Sequence, residues 1–457
     1  MSVSVPPSPV RSRPWPLVTA AAVCLLSFTA FWVAQRLAHV NMLDVMVYRA
    51  EAETLRSGGD LYAMRATSAN LAMTYPPLAA VLFLPLTLVG VPLMRTLNTA
   101  GNLLLVLALV RLSLQLVHPR ISLPAARAEL WRRSLWVAAI VVWCEPVWTT
   151  LRYGQINLLV AVAVLWDLTR RPGGPGARWA GVGIGLATAV KLTPGLFVVL
   201  LFAAGLLLWR RERGAGAGRG MNPWLRTGLT ATGVFLVTTL AMVVALPDAS
   251  KTFWTRTLFE TGRVGHAEET ANQSVSGVLA RLLHTDAPGL WWVAAAGLLG
   301  GAAMILAIRA ALRGDRAVAV VITAFTALMI SPISWSHHWV WCVPLLILLY
   351  DRATRAWPVT GAVALAFASF ALWWVPHDPG RPELHQNAGQ MVLSAIYPLT
   401  ALAVFAGYAL SQWRGRSRGR DATLVERVPH PREDDLREAE TDDARVAVRA
   451  PQAVAKE

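Results

Sequence analysis

The chain has 457 residues, 55% of them hydrophobic and only 15% charged, with a formal net charge of +15 at pH 7. A water-soluble chain of this length would form two or three domains, but a mean hydropathy of +0.46 and repeated apolar runs of about 18–22 residues are the signature of transmembrane helices. The basic residues recur as short clusters between apolar runs, without interleaved stacking aromatics; this argues against nucleic acid as a partner and reads as the positive-inside bias of a membrane protein, with lipid contact as a by-product.

The first element is "RSRPWPLVTAAAVCLLSFTAFWVAQRL". It has the basic-then-apolar order of a signal sequence, but its apolar run is longer than a signal core and more spanning segments follow. It reads as an uncleaved first helix over 15–37. Further spans are expected at 94–117, 133–150, 155–169, 178–191, 194–210, 226–246, 289–309, 316–332, 338–350, 356–375 and 391–411. Between the first two lies "YPPLAAVLFLPLTLVG" at 75–90, short and carrying three prolines.

Charge bias decides how that segment counts. With the basic N-terminus inside, two full crossings by 75–90 and 94–117 would place Arg120, Arg127, Arg132 and Arg133 outside. A single net crossing instead keeps every later arginine cluster inside, including Arg170, Arg171, Arg210, Arg211, Arg309, Arg313, Arg352 and Arg355. The expected fold is therefore an all-α integral membrane protein of about twelve spans. Both termini are cytoplasmic, and 75–90 is a short or partly inserted helix. Residues 1–14 form a cytoplasmic N-terminus, 15–412 the membrane domain, and 413–457, charged and poor in apolar residues, a disordered cytoplasmic tail. "GAGAGRG" at 214–220 is expected to be a flexible cytoplasmic loop.

The same topology gathers the distinctive polar segments on the outer face: 38–74, "RYGQIN", "KLTP" at 191–194, the long loop 247–288, 376–390, and "SPISWSHH" at 331–338. After the first span, Val45, Tyr48, Ala52 and Leu55 recur at helical spacing with Arg49, Glu51, Glu53 and Arg56 among them, the pattern of an amphipathic helix lying on the membrane surface. Asp44 opens it. A carboxylate at mid-membrane costs about 2.5–3.5 kcal/mol on insertion scales and less near the edge, so Asp44 is either an N-cap or a functional acid. Gln155 and Asn157 either cap a helix or bond sugar hydroxyls. Lys191 either snorkels to the interface or holds an anion as a point charge. The long loop carries Arg263, His266, Asn272 and Gln273 in a glycine-punctuated stretch long enough to lie over a site. His337 and His338 project in different directions from a helix, so they are not expected to chelate one metal together. Cys24, Cys144 and Cys342 all lie in apolar segments without metal-type spacing.

In chain order, the acid after the first span, "YPPLAAVLFLPL", "GQINLL", "AVKLTPGLF", "GRVGHAEETANQSVSGVLARL" and "ISPISWSHHWVWCVPLL" resemble glycosyltransferase family 87. This family comprises actinobacterial membrane enzymes of the GT-C type, and the similarity runs over about residues 40–350. The resemblance implies transfer of mannose from a polyprenyl-phosphate-linked donor to a glycolipid or glycan acceptor on the extracytoplasmic face, inverting to an alpha-(1-2) linkage. It implies Asp44 as general base, with His338, His337, Lys191 and Arg263 as candidates for the donor phosphate. Gln155, Asn157, Asn272, Gln273 and Tyr75 would contact sugar or acceptor. With no DxD motif and no second carboxylate paired with Asp44, neither metal nor other cofactor is expected. Transfer of another lipid-linked sugar such as arabinofuranose, and a lipid or solute transporter, are the alternatives. A transporter would carry ionisable residues deep in its spans, often with broken helices related by repeats.

Overall fold

The computed structural model describes residues 15–425 apart from 124–125, 172, 175, 215–219, 353–356 and 378–379. The described residues are helices joined by turns, with two isolated β-bridges, Ala66 to Leu71 and Asn272 to Trp335. The chain opens with α1 (Trp15–Leu37), α2 (Leu43–Arg56), α3 (Pro77–Leu82) and α4 (Val91–Val117). It continues through α5 (Arg127–Val141), α6 (Glu145–Tyr153), α7 (Asn157–Leu168), α8 (Val182–Val190), α9 (Gly195–Gly214) and α10 (Pro223–Ala245). Next come α11 (Pro247–Thr255), α12 (Val275–Leu282), α13 (Gly289–Leu312) and α14 (Arg316–Ile330). The last are α15 (Cys342–Arg352), α16 (Trp357–Ala368), α17 (Ala388–Ser394) and α18 (Ile396–Val425). The packing and the site described below lie in the compact unit that ends at Leu402.

Helices α1, α4, α10 and α13 are each long and apolar enough to cross a bilayer, with 22 to 27 residues in the apolar stretch. At 1.5 Å per residue this matches a hydrocarbon core of about 30 Å. Leu25, Leu26, Val244, Leu290 and Leu298 lie on these helices with most of their surface exposed; rows of this kind call for hydrocarbon rather than water around them. Two bent pairs raise the number of candidate spans to six: α5–α6, bent by 81°, and α17–α18, bent by 73°. The apolar helices α7, α14 and α16 are shorter.

Several expected elements are cut by residues whose backbone chemistry explains the break. The segment 133–150, read as one span, is two helices, because Pro146 in the first turn of α6 has no N–H to continue the ladder from α5. The span expected at 178–191 shrinks to α8, bounded by Gly181 at φ +110° and by Lys191 in an extended conformation. Segment 75–90 forms two short pieces, α3 and a 3-10 turn Leu84–Thr87 that begins next to Pro85. The long loop 247–288 is largely ordered, carrying α11 and α12. Helix α18 runs on to Val425, so the first part of the segment assigned to a disordered tail is helical. Residues 426–457, the N-terminal 1–14 and loop residues 215–219 lie outside the described residues.

Close helix contacts set the spacing of the bundle. Helix α8 lies against α7 and α10, and its glycines let the backbones touch: a Cβ at Gly183 would come 2.4 Å from the Ala163 carbonyl oxygen, and one at Gly185 2.5 Å from that of Ala231. Small residues serve this purpose where lipid supplies no hydrophobic drive for association. Helix α14 is buried from Ala317 to Met329 and forms the interior of the bundle. Gly183→Ala is therefore expected to destabilise the protein by about 1–3 kcal/mol, the range for overpacking, read as a lower melting temperature in detergent. Ala substitution at Gly233, which faces open space, serves as the neutral comparison.

Candidate functional site

Helix α2 starts after Met42, which sits in the left-handed region at φ 54° and gives no side-chain cap. Asp44 therefore lies inside the first turn and is not the N-cap. Its Oδ2 accepts a 2.7 Å hydrogen bond from Gln155 Nε2. Arg49, from another face of α2, donates to the carbonyls of Leu86 and Val89 at 2.7 Å each and so clamps the helix to the 75–90 segment.

Gln155 is fixed at its other end. Its Oε1 accepts from the Tyr48 hydroxyl at 2.7 Å and from that of Tyr75 at 3.4 Å. Tyr48 is held in turn by stacking on Phe83, with ring centres 4.1 Å apart. With its oxygen engaged by phenols, the amide can present only its NH2 to Asp44. Gly154 precedes it at φ +71°, and a Cβ there would fall 2.9 Å from Val45 Cβ and 3.0 Å from Asn98 Oδ1. Only glycine both adopts that turn and admits α2 so close.

Two residues along, Asn157 makes a second junction. It is not a cap: Ile156 occupies that position. Its Oδ1 accepts from Lys191 Nζ at 2.8 Å, and its Nδ2 donates to the His337 carbonyl at 3.0 Å. Thr150 donates to the same carbonyl at 2.6 Å. Lys191, just past the end of α8, places its Nζ 3.3 Å from His338 Nε2 and 5.4 Å from the centre of the Tyr75 ring. In its charged form Lys191 only donates, and the contact then goes with the His338 tautomer protonated at Nδ1.

The two histidines part company here. His337 is 6% exposed, lies edge-on to Tyr153, and has a buried Nε2 without a hydrogen-bond partner among the described residues. His338 is partly exposed and carries the Lys191 contact.

Glu145 secures the backbone that leads into this pair. Fully buried at the start of α6, its Oε1 accepts from Thr149 Oγ1 at 2.8 Å, Ser336 Oγ at 2.8 Å and Trp373 Nε1 at 3.0 Å. Its Oε2 accepts from the Tyr397 hydroxyl at 2.6 Å. One carboxylate thus ties four segments together around the 3-10 turn Ser336–Trp341.

The structure brings Asp44, Tyr75, Gln155, Asn157, Lys191 and His338 into one contiguous network and gives three other candidates different surroundings. Asn272 donates to the carbonyls of Ala267 and Pro332 and accepts from the amides of Ser274 and Ser334. Gln273 donates to the carbonyls of Thr270 and Ser394 and accepts from the Tyr397 amide. Both are fully buried, and their amides are taken up by backbone partners in this structure. They brace the loop against 332–336. Arg263 donates to the carbonyls of Met73 and Tyr62 and lies over the Tyr62 ring. Tyr62 then donates to the Tyr75 carbonyl at 2.9 Å, so Arg263 supports the strand of chain that carries Tyr75 from one layer behind.

Two carboxylates were missed from sequence. Glu51 is 1% exposed, with Oε2 buried and unpartnered among the described residues. The spacing 44, 48, 51 places it on the Asp44 face of α2, yet among Arg49, Glu53 and Arg56 it reads as part of a solvated surface. Glu145 was passed over inside an expected span, where an acid is itself a flag for function. Burial pushes the Asp44 carboxyl up to about 6, against the pull of the Gln155 hydrogen bond and the Lys191 charge. Burial, and then the Asp44 charge, push Glu51 up to about 8. At neutral pH the pair therefore holds one ionised acid and one protonated one, the arrangement by which environment separates the roles of two carboxyls.

Glycosyltransferase family 87 matches residues 73–332 of this chain. That range includes Tyr75, Gln155, Asn157 and Lys191, with Asp44 before it and the histidines after it. A polyprenol-phosphate-mannose-dependent alpha-(1-2)-phosphatidylinositol pentamannoside mannosyltransferase of Mycobacterium tuberculosis is 33% identical over 430 residues, covering 88% of this chain and 90% of its own. A polyprenol-phosphate-mannose-dependent alpha-(1-2)-phosphatidylinositol mannoside mannosyltransferase of Mycolicibacterium smegmatis is 34% identical over 388 residues, covering 80% and 81%. A protein of the latter description from Mycobacterium tuberculosis is 34% identical over 353 residues, 74% of this chain and 76% of its own.

A base with a raised pKa is lost as pH falls through the raised value, so activity is expected to fall on the acid side near pH 6 rather than near 4. On the alkaline side, ionisation of Glu51 near pH 8 adds a second negative charge beside Asp44 and lowers activity again. Gln155→Ala removes a bond that favours the carboxylate and moves the acid limb upward. Burial pulls the Lys191 ammonium down to about 7 against the Asp44 charge, so Glu51→Gln removes the Glu51 contribution near pH 8 and leaves the alkaline loss that follows deprotonation of Lys191. Complete pH–rate profiles of the three proteins check all of this.

Proposed function

The chain belongs to glycosyltransferase family 87, and on that footing we propose that it transfers mannose from polyprenyl-phosphate mannose to a phosphatidylinositol mannoside, forming an alpha-(1-2) linkage. The relatives that span most of this chain carry that donor, acceptor class and linkage in their names. We place the reaction on the extracytoplasmic face of the plasma membrane, with about twelve crossings, both termini cytoplasmic and α2 along the outer surface. The positive-inside bias supports that orientation.

The observation that carries the mechanism is the two-pole arrangement at the start of α7. Gln155 holds a carboxylate, and Asn157, two residues on, holds an ammonium. Asp44 Oδ takes the proton from an acceptor hydroxyl while that oxygen attacks the anomeric carbon. The bond from that carbon to the phosphate oxygen breaks on the opposite face, and its electron pair leaves with the polyprenyl phosphate. A beta-linked donor then gives an alpha product. Lys191 Nζ and the imidazole of His338 meet the charge that develops on the leaving phosphate, in a setting where water is scarce and fixed charges act strongly. His337, whose carbonyl is held by Asn157 and Thr150, positions its neighbour rather than touching the phosphate. The hydroxyl of Tyr75 and the amide of Gln155 are the groups placed to meet sugar hydroxyls next to Asp44.

The test uses membranes with labelled polyprenyl-phosphate mannose and a phosphatidylinositol mannoside acceptor. Asp44→Asn, which keeps the shape and removes the base, is expected to lower kcat by about 10²–10⁴-fold. Lys191→Ala is expected to lower kcat while leaving the KM for the acceptor little changed. Absence of transfer by the wild type to any mannoside sinks the substrate reading, and full activity of Asp44→Asn sinks the base assignment.

A further inference from the structure

A second electropositive feature lies at the far end of α7 from Asn157. Twelve residues of α7 carry the chain about 17 Å along its axis, to a recess lined by Asp167, Arg170, Arg171, Trp224, Arg226 and Arg316. Helix α14 starts at this recess with Arg316 and ends at Ile330 on the approach to the histidines, so the recess and the Asp44 network occupy opposite ends of the bundle.

Four guanidinium groups face one carboxylate there. Asp167 accepts from the Ile184 amide at 2.8 Å and stands 3.7 Å from Arg170 Nε. The other partners of the arginines are neutral. Arg170 donates to the Gly176 carbonyl, Arg171 to that of Pro119, Arg226 to that of Ala177 and Arg316 to that of Leu168. Arg316 also lies over the Trp224 ring, 5.2 Å from its centre. Helix α10, of 23 residues, begins at the recess and adds the positive end of its dipole, whereas the start of α14 is capped by the Asp315 carboxylate, which accepts from the Val318 amide. Asp315, next to Arg316, is engaged by the α14 N-terminus and by Arg352, so within the lining Asp167 faces the four arginines as the acid.

Depth in the membrane selects the kind of anion. Trp166 and Trp179, close to this end in the chain, are 54% and 55% exposed, as tryptophans of an interfacial belt are. We propose that the recess binds the phosphate headgroup of an anionic phospholipid in the leaflet opposite Asp44, with Arg171 and Arg226 at its mouth and Arg316, stacked on Trp224, at its inner wall. A general inward charge bias needs basic residues near the membrane; it does not need four of them converging on one recess. Basic recesses between spanning helices are recognised sites for such headgroups.

The experiment uses the purified full-length protein in a neutral detergent, titrated with phosphatidylglycerol, with phosphatidylcholine or with inorganic phosphate. Lipid retention is read by native mass spectrometry and stabilisation by melting temperature. Phosphatidylglycerol should be retained and should raise the melting temperature, whereas phosphatidylcholine should do neither. Arg171→Gln with Arg226→Gln, both exposed side chains, should weaken retention by about tenfold or more, since each basic residue near the surface contributes about a factor of five. Arg210→Gln with Arg211→Gln, exposed arginines at the end of α9, removes the same charge outside the recess and should leave retention unchanged. Equal loss in the two double variants reduces the effect to diffuse charge and overturns the site. Equal retention of phosphatidylcholine overturns it as well. Protection by millimolar inorganic phosphate that matches and displaces the lipid reassigns the recess to a free anion.

Discussion

Backbone groups freed where a helix ends inside a membrane bundle must be satisfied by protein, because lipid offers no partners. That requirement organises this molecule. The chain leaves the helical ladder at three neighbouring places: between α6 and α7, between α8 and α9, and between α14 and α15. Asn157 closes the first break against the other two, accepting from Lys191 and donating to the His337 carbonyl. The same hydrogen bonds that satisfy broken backbone therefore bring an ammonium, an imidazole and, through Gln155, a carboxylate to one place. Architecture and chemistry share their bonds, and neither is separable by a single deletion.

Three acids in this region show how environment assigns a role. Glu145 receives donors on both oxygens, so its charge is compensated where an unpaired one would cost several kcal/mol. Its function is to hold the turn that presents the histidines. Glu51 has an oxygen with nothing to accept from and is driven toward its neutral form. Asp44 lies between these extremes, desolvated enough to be basic and supported enough by Gln155 and Lys191 to stay ionised at neutral pH. A carboxylate in that intermediate state is suited to accept a proton and give it up again.

Much of this was legible in the sequence, and what was not has a physical reason. Asp44, Lys191 and His338 stand at the ends of apolar runs, where an ionisable group is conspicuous, so local pattern singled them out as candidates, while the roles offered for them came from the family resemblance. Asn272 and Gln273 looked equally suited to a ligand, but their partners are the backbone of Pro332, Ser334 and Ser394, over fifty residues away, and no local pattern announces a brace of that range. Glu51 was hidden by charged neighbours that face elsewhere on the same helix. Counting spans by hydropathy overestimated continuous helices, because composition records apolar length while Pro146 and Gly181 decide whether that length stays helical. The amphipathic helix at 43–56 and the brokenness of 75–90 were readable because periodicity and proline act locally.

Gly154 has a bearing on how such a protein varies. The helix that bears Asp44 rests on the bare backbone of residue 154, with Val45 and Asn98 filling the volume a methyl group would take. The height of the carboxylate above α7 is thus gauged by a residue that has no side chain. A sequence change there leaves the acid, the amide and the lysine in place, yet moves α2, and Asp44 with it, by the thickness of one methyl. Variation in acceptor preference among proteins built on this plan has a mechanical route open to it, through the shim beneath α2 as much as through the residues that touch the sugar.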